Sequence, residues 1–162
     1  MMKIIKGLIP YVLILVAVIF IRVYIVTPAF VSGTSMSPTL KDNDLVLLKK
    51  FDKKYKRFDI VVVRLPEENL IKRVIGLPGE TLEYKDHVLY INGKKVDDKF
   101  ASITNDFSLE QSFNIYKIPD NCYFVMGDNR GSSLDSRRLG CFTKDDIKGK
   151  VTFSLIPFKK VK

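Results

Sequence analysis

The chain is poor in the residues that most often do chemistry. It has one histidine, His87, two cysteines, Cys122 and Cys141, and no tryptophan. With a single imidazole and no cysteine pair at zinc spacing there is no metal-ligand set, and no metal or other cofactor is expected. There is no internal repeat and no low-complexity tract. Past the first 26 residues no ten-residue amphipathic helix is evident, and Thr143–Ile147 reads as a short turn.

What is present bounds the class. The 162 residues are 46% hydrophobic and 28% charged, which suits one ordinary folded domain with a small appendage rather than a disordered chain. A net charge of +9 invites a nucleic-acid reading. The lysines are scattered, however, at Lys41, Lys49–Lys50, Lys53–Lys54, Lys94–Lys95 and the tail from Lys159 to Lys162. None forms a block interleaved with stacking aromatics, so no nucleic-acid partner is expected, and a surface near anionic lipid fits the charge.

The N-terminus is the longest apolar run. Fifteen residues from Gly7 to Ile21 carry no charge, Arg22 interrupts, and Val23–Val26 continue. Twenty positions, 7–26, are about what a helix needs to cross a bilayer, with Arg22 able to snorkel from the last turn. A cleaved signal peptide has a shorter apolar core without an arginine at its far end, and a buried soluble helix shows more polar residues on one face. Lys3, Lys6 and the α-amino group place the N-terminus on the cytoplasmic side. The expected organisation is a cytoplasmic segment 1–6, a single-pass anchor 7–26 and an extracytoplasmic domain 27–162 at the cell membrane.

That domain reads as mostly β. Short runs rich in Val, Ile, Phe and Tyr, bounded by Pro, Gly, Asp or Asn, occur at Asp44–Phe51, Asp59–Leu65, Leu70–Leu77, His87–Gly93, Cys122–Gly127 and Lys150–Phe158. Asn92-Gly93 marks a type I′ hairpin and Pro78-Gly79 another turn. Residues 100–118 have weak periodicity and read as an irregular insertion. Cys122 and Cys141 bracket a polar loop, and they are either a disulfide staple or two unpaired packing residues.

Five of nine residues in "SGTSMSPTL", Ser32–Leu40, carry hydroxyls, and the stretch contains no base. A serine nucleophile needs one. His87 lies on a strand of a hairpin beside Lys85 and Asp86, where an exposed residue belongs. A buried lysine is the other source, since desolvation disfavours the ammonium. In "LIKRVIG" Lys72 shares a face with Leu70 and Val74, and Arg73 shares the other with Ile71 and Ile75. One cation is then pressed inward, or the strand is an edge with both cations in water. Only Lys72 could serve as a base, because arginine keeps its proton. The loop Met126–Gly140 is dense in Asp, Asn, Arg and Ser, and reads either as solvated or as a rigid hydrogen-bonded brace.

Three motifs in one order, Gly33-Thr34-Ser35-Met36-Ser37-Pro38-Thr39-Leu40, Lys72-Arg73-Val74-Ile75-Gly76-Leu77-Pro78-Gly79-Glu80 and Gly127-Asp128-Asn129-Arg130 followed by Ser133-Leu134-Asp135-Ser136-Arg137, closely resemble the type I signal peptidases of bacteria. With the anchor, the resemblance covers nearly the whole chain, in a compact Gram-positive-like form. It implies a mainly β fold, a coiled antiparallel catalytic sheet of the signal peptidase and LexA-like type. It also implies a membrane-bound, monomeric serine endopeptidase that cleaves signal peptides from exported preproteins, its partners being those preproteins and the lipid bilayer. By the same resemblance Ser35 is the nucleophile, Lys72 the general base, and Ser133 the hydroxyl bonded to the lysine amine. Asp128, Arg130, Asp135 and Arg137 brace the site, and Met36 and Ile71 line substrate pockets.

The chain departs from that pattern twice. Gly33 stands where some relatives have a serine that helps the oxyanion. Arg57-Phe58-Asp59 stands for Arg-Gly-Asp, and Phe58 argues against a backbone conformation reserved for glycine. Two rivals are a self-cleaving repressor with the same two residue types, opposed by the anchor and the lack of a DNA-binding helix pair, and an inactive tethered homologue acting as a scaffold, opposed by the presence of both Ser35 and Lys72.

Overall fold

The structure, a computed structural model, describes residues 2–51, 54–100 and 103–161. The α-amino group, the side chains of Lys3 and Lys6, Lys53, Lys162 and residues 101–102 of the irregular segment lie outside the described residues.

The apolar run forms helix α1 (Met2–Phe20), followed by a π-helical turn (Ile21–Ile25) and strand β1 (Val26–Phe30). Every residue from Gly7 to Arg22 is exposed, so the helix stands clear of the domain core. The run read as one span is thus divided between helix, turn and strand, with Val26 already paired to Lys49. Among the described residues no helix is long and apolar enough to cross a membrane.

The remainder is two antiparallel sheets. The larger is ordered β1, β2 (Leu45–Lys49), β11 (Ile147–Ile156), β3 (Ile60–Arg64), β4 (Asn69–Gly76), β9 (Cys122–Met126) and β10 (Phe142–Thr143), with β12 (Phe158–Lys160) also on β11. The smaller is ordered β7 (Lys94–Val96), β6 (Val88–Ile91), β5 (Leu82–Lys85) and β8 (Phe107–Ser108). Register shifts interrupt β11 against both neighbours and β4 against β9. Such bulges add twist and curl a sheet on itself.

Burial on both faces explains the near-continuous apolar runs. Ile60 and Val62 of β3 pack with Met36, Leu40, Val46 and Val151, while Val61 and Val63 pack with Val74, Val125 and Phe142. A third core joins Ile75 and Phe124 of the large sheet to Tyr84 and Leu89 of the small one. Each fully buried side chain of this size contributes about 1.5–3 kcal/mol.

Local expectations were met unevenly. Asn92-Gly93 turns with positive φ at both residues, 50° and 73°, as a type I′ turn requires. Asp86-His87 does the same between β5 and β6, at 48° and 66°, so His87 is a turn residue rather than a strand residue. Thr143–Ile147 holds the expected short turn: β10 ends at Thr143, the Asp146 N–H donates back to the Thr143 carbonyl (3.1 Å), and the Asp146 carboxylate accepts from the Thr143 N–H (2.8 Å) and hydroxyl (2.6 Å) before β11 begins. The irregular segment carries β8 and helix α2 (Leu109–Phe113), whose Ser108 hydroxyl accepts from the Gln111 N–H. A short helix α3 (Ser136–Leu139) is capped by Asp135. Cys122 and Cys141 are bonded, with Cα atoms 5.6 Å apart, closing the polar loop at its base.

Candidate active site

The nucleophile stretch is a turn pinned by apolar ends. Val31, Met36 and Leu40 are buried, and Val31 exchanges backbone hydrogen bonds with Asn43 and Asp44. Between them Ser37 N–H donates to the Thr34 carbonyl and Leu40 N–H to that of Met36, each at 3.0 Å. Ser35 is left half-buried at the turn's first corner. Gly33 has φ +84°, and its N–H donates to Asp42 (2.8 Å). A serine there would hold a left-handed backbone at a cost, a physical reason for glycine at this position.

Strand β4 lies between β3 and β9, so it is not an edge and neither cation points to water. Lys72 is 2% and Arg73 0% exposed. The Lys72 Nζ stands 2.7 Å from the Ser35 Oγ. Burial holds the Lys72 amine below the usual lysine range, and the opposing charges of Asp135, Glu68 and Asp128 only partly offset it. A neutral amine in contact with a hydroxyl is a proton acceptor for it.

Arg73 is structural and was missed as such in the sequence, where its neighbour's chemistry drew attention. It donates from Nε (2.8 Å) and Nη2 (2.6 Å) to the two Asp128 oxygens, and from Nη1 to the Phe58 carbonyl (2.8 Å). Its guanidinium lies over the Phe100 ring at 3.4 Å. Thr39, four residues past Ser35, donates to Asp128 at 2.5 Å. Phe58 corrects the expectation drawn from it: the backbone there is left-handed, φ +68°, despite the bulky side chain. Its carbonyl on Arg73 and its ring contact with Phe100 (5.3 Å between centroids) hold that conformation.

The loop after β9 closes over the nucleophile. Asn129 N–H donates to the Ser35 carbonyl (3.0 Å) and its side chain to that of Thr34 (3.3 Å). Asp135 accepts from the Gly127 N–H (3.0 Å) and from Arg137 Nε and Nη2 (both 2.9 Å). Burial alone would raise the Asp135 carboxyl, but Arg137 and the Gly127 amide outweigh it and hold the group below the usual range. The Arg137 Nη2 also donates to the Arg130 carbonyl (2.7 Å).

Two expectations need correction here. No hydrogen bond joins the buried Ser133 hydroxyl to Lys72; the contact of Lys72 with a hydroxyl is to Ser35. Met36 is 1% exposed in the core, so it is not an open pocket wall, whereas Ile71 is half-buried against the same cluster. His87 is exposed and its Nδ1 lies 2.8 Å from the Thr104 carbonyl, with no part in the Ser35–Lys72 pair.

Gly127 was quoted in a motif without a role. A Cβ added there would lie 2.5 Å from the Ser35 carbonyl oxygen and collide with Ser133. Gly127→Ala is therefore expected to push the loop off the nucleophile and lower kcat about 10²-fold, the effect of roughly 1 Å of misplacement. Steady-state kinetics on the folded variant checks this.

A curled antiparallel domain that sets a serine hydroxyl against a desolvated lysine amine has the arrangement of a Ser–Lys hydrolase. Comparison with known proteins agrees. The family model for signal peptidase, peptidase S26, matches residues 3–156. Signal peptidase I of Bacillus amyloliquefaciens is 40% identical over 91% of this chain and 85% of its own length. Signal peptidase I S of Bacillus subtilis is 42% identical over 91% and 86%. The crystal structure of a signal peptidase I from Enterococcus faecalis superposes with a TM-score of 0.58 at 38% identity, covering 61% of this chain and 97% of that one. The chain belongs to the signal peptidase family, peptidase S26.

Proposed function

We propose that this protein is a serine endopeptidase that removes N-terminal signal peptides from exported preproteins, with Ser35 as nucleophile and Lys72 as general base. The observation that carries the reading is the 2.7 Å contact between a partly accessible serine hydroxyl and a buried lysine amine. Lys72 Nζ takes the Ser35 proton as Oγ attacks the carbonyl carbon of the scissile bond. The resulting ammonium gives that proton to the departing amine, which frees the mature chain and leaves an ester on Ser35. Water, deprotonated by Lys72, then releases the signal peptide as a carboxylate. The Ser35 N–H carries the oxyanion, since Gly33 supplies no hydroxyl. Half-buried Ile71 lines a small pocket for the substrate chain, which binds extended as an added strand.

The chain is anchored by its N-terminal apolar run in one pass, with the N-terminus cytoplasmic and the β domain outside. Exposed Phe30, Ile156 and Phe158 gather at one end of β1 and β11, flanked by Lys159 and Lys160, and support a domain resting at the bilayer surface. This proximity raises the effective concentration of emerging signal peptides. The inactive-scaffold alternative is disfavoured by the intact Ser35–Lys72 contact.

The direct test incubates the detergent-solubilised protein with a preprotein and sequences the new N-terminus; an uncut preprotein would refute the reading. A pH profile tests the base. Because the Lys72 amine must be neutral, kcat/KM is expected to rise with pH and level off below the range where an ordinary lysine titrates. A rate independent of pH between roughly 6 and 9 would contradict that role.

A further inference from the structure

The loop 127–137 contains no large apolar side chain except Leu134, which is exposed, so apolar burial cannot be what fixes it over Ser35. Charge and hydrogen bonds fix it instead, and they come from two directions. Arg73 of the large sheet holds Asp128. The other attachment is Arg130, which is buried and faces the small sheet. Arg130 Nε donates to the Gly127 carbonyl (3.0 Å), and Nη1 donates to the Tyr84 hydroxyl (2.9 Å) and the Thr104 hydroxyl (2.5 Å). Nη2 forms an ion pair with Asp98, whose carboxylate also accepts from Tyr84 at 2.7 Å. Tyr84 is a β5 residue, Asp98 follows β7, and Thr104 precedes β8.

We propose that Tyr84, Asp98 and Thr104 are positioning residues for the Ser35–Lys72 pair, acting through Arg130, and that the small sheet is the support that sets the catalytic loop. The proposal rests on the reading of Ser35 and Lys72 given above. The route is continuous in hydrogen bonds. The three groups fix the Arg130 guanidinium, which fixes the Gly127 carbonyl. Gly127 N–H is held by Asp135, and Asn129 N–H by the Ser35 carbonyl. Burial and Asp98 keep Tyr84 a phenol, so it can donate to Asp98 while accepting from Arg130. No solvent screens the set, because the side chains of Arg130 and Asp98 are 2% and 6% exposed.

If the loop is released, the carboxylates of Asp128 and Asp135 move relative to Lys72, while Glu68, the third acidic group acting on that amine, stays. Those two charges favour the ammonium, but burial beneath the loop acts more strongly the other way, so admitting water returns the amine toward the usual lysine range and shifts the acid limb of the pH profile upward. A support that only stabilised the fold would leave that limb in place.

The experiment compares the full-length protein with Tyr84→Phe, Asp98→Asn, Thr104→Val and Thr104→Ser on one preprotein, below their melting temperatures. Tyr84→Phe, Asp98→Asn and Thr104→Val are expected to lower kcat about 10-fold with KM within twofold, a fraction of the ~10²-fold loss from a 1 Å misplacement. In each the acid limb of kcat/KM moves to higher pH, and Thr104→Ser, which keeps the hydroxyl, restores both. Folded variants with an unmoved limb would overturn the proposal, whether kcat is unchanged or falls with stability. Should Asp98→Asn fail to fold, Tyr84→Phe decides, since it removes one oxygen and keeps the ring in its core. Failure of Ser35→Ala to abolish cleavage would refute the underlying reading separately.

Discussion

Ser35→Ala and Lys72→Ala will each abolish preprotein cleavage, lowering the rate by about 10⁴-fold or more, while the domain stays folded. Removing either member of a nucleophile–base pair has consequences on this scale, because the remaining partner cannot generate the alkoxide. The effects should not add: the double variant will be no slower than either single one, since the pair acts as a unit. Lys72→Arg will be equally dead although it keeps the charge and most of the length. A guanidinium cannot accept the Ser35 proton, and its planar fork does not fit where the amine meets Oγ at 2.7 Å. Folding should survive Lys72→Ala, since the change removes a buried amine whose burial is itself unfavourable. Cleavage assays with circular dichroism on the same samples separate loss of chemistry from loss of fold. Full activity in either single variant would eliminate the pair as the catalytic unit.

Asp128→Ala is expected to unfold or nearly unfold the domain. Both partners of the Arg73–Asp128 pair have fully buried side chains, so removing the carboxylate leaves a guanidinium without a counter-charge away from water. Breaking such a pair costs about 3–5 kcal/mol. That is a large share of the roughly 5–15 kcal/mol by which domains are stable. The loss also frees Thr39 and the start of the catalytic loop, so activity will fall ahead of global unfolding. A matched apolar pair such as Arg73→Met with Asp128→Leu should recover much of the stability, because it removes the buried charge itself. It should not recover activity, since the Arg73 bond to the Phe58 carbonyl is lost too. Urea denaturation of the three proteins gives the stabilities. A single variant as stable as the parent would show that the pair is not holding the core.

The β character was legible because apolar runs of four to eight residues between turn residues have few other uses. Asn92-Gly93 declared its turn through the one residue type that adopts positive φ freely. Asp86-His87 did not, and the same turn there went unread because two ordinary residues are held in it by the pairing of β5 with β6. Helices α2 and α3 are five and four residues long, too short for any periodicity to reveal. They exist through their caps, Ser108 and Asp135, and through packing.

The pairing of Ser35 with Lys72 was legible only through the resemblance of the three motifs, since the residues alone left five hydroxyls in Ser32–Leu40 and two orientations for Lys72. The surroundings were not. Whether Lys72 and Arg73 point to water or inward depends on β4 lying between β3 and β9, and strand order is a long-range outcome. Ser133 was assigned the contact to the lysine, yet the hydroxyl that Lys72 meets is that of Ser35.

By itself the sequence determined the chemical inventory: an N-terminal apolar run, a mostly β domain, a serine without a histidine and a lysine among apolar neighbours. Only the tertiary structure decided what that inventory could do. Bringing positions 35, 72 and 127–137 together, with Tyr84, Asp98 and Thr104 behind them, takes two curled sheets closing on one another. The base strength of Lys72 is likewise no property of its residue type. It comes from exclusion of water by neighbours distant in sequence, a balance of burial against the nearby carboxylates that exists only once the chain has folded.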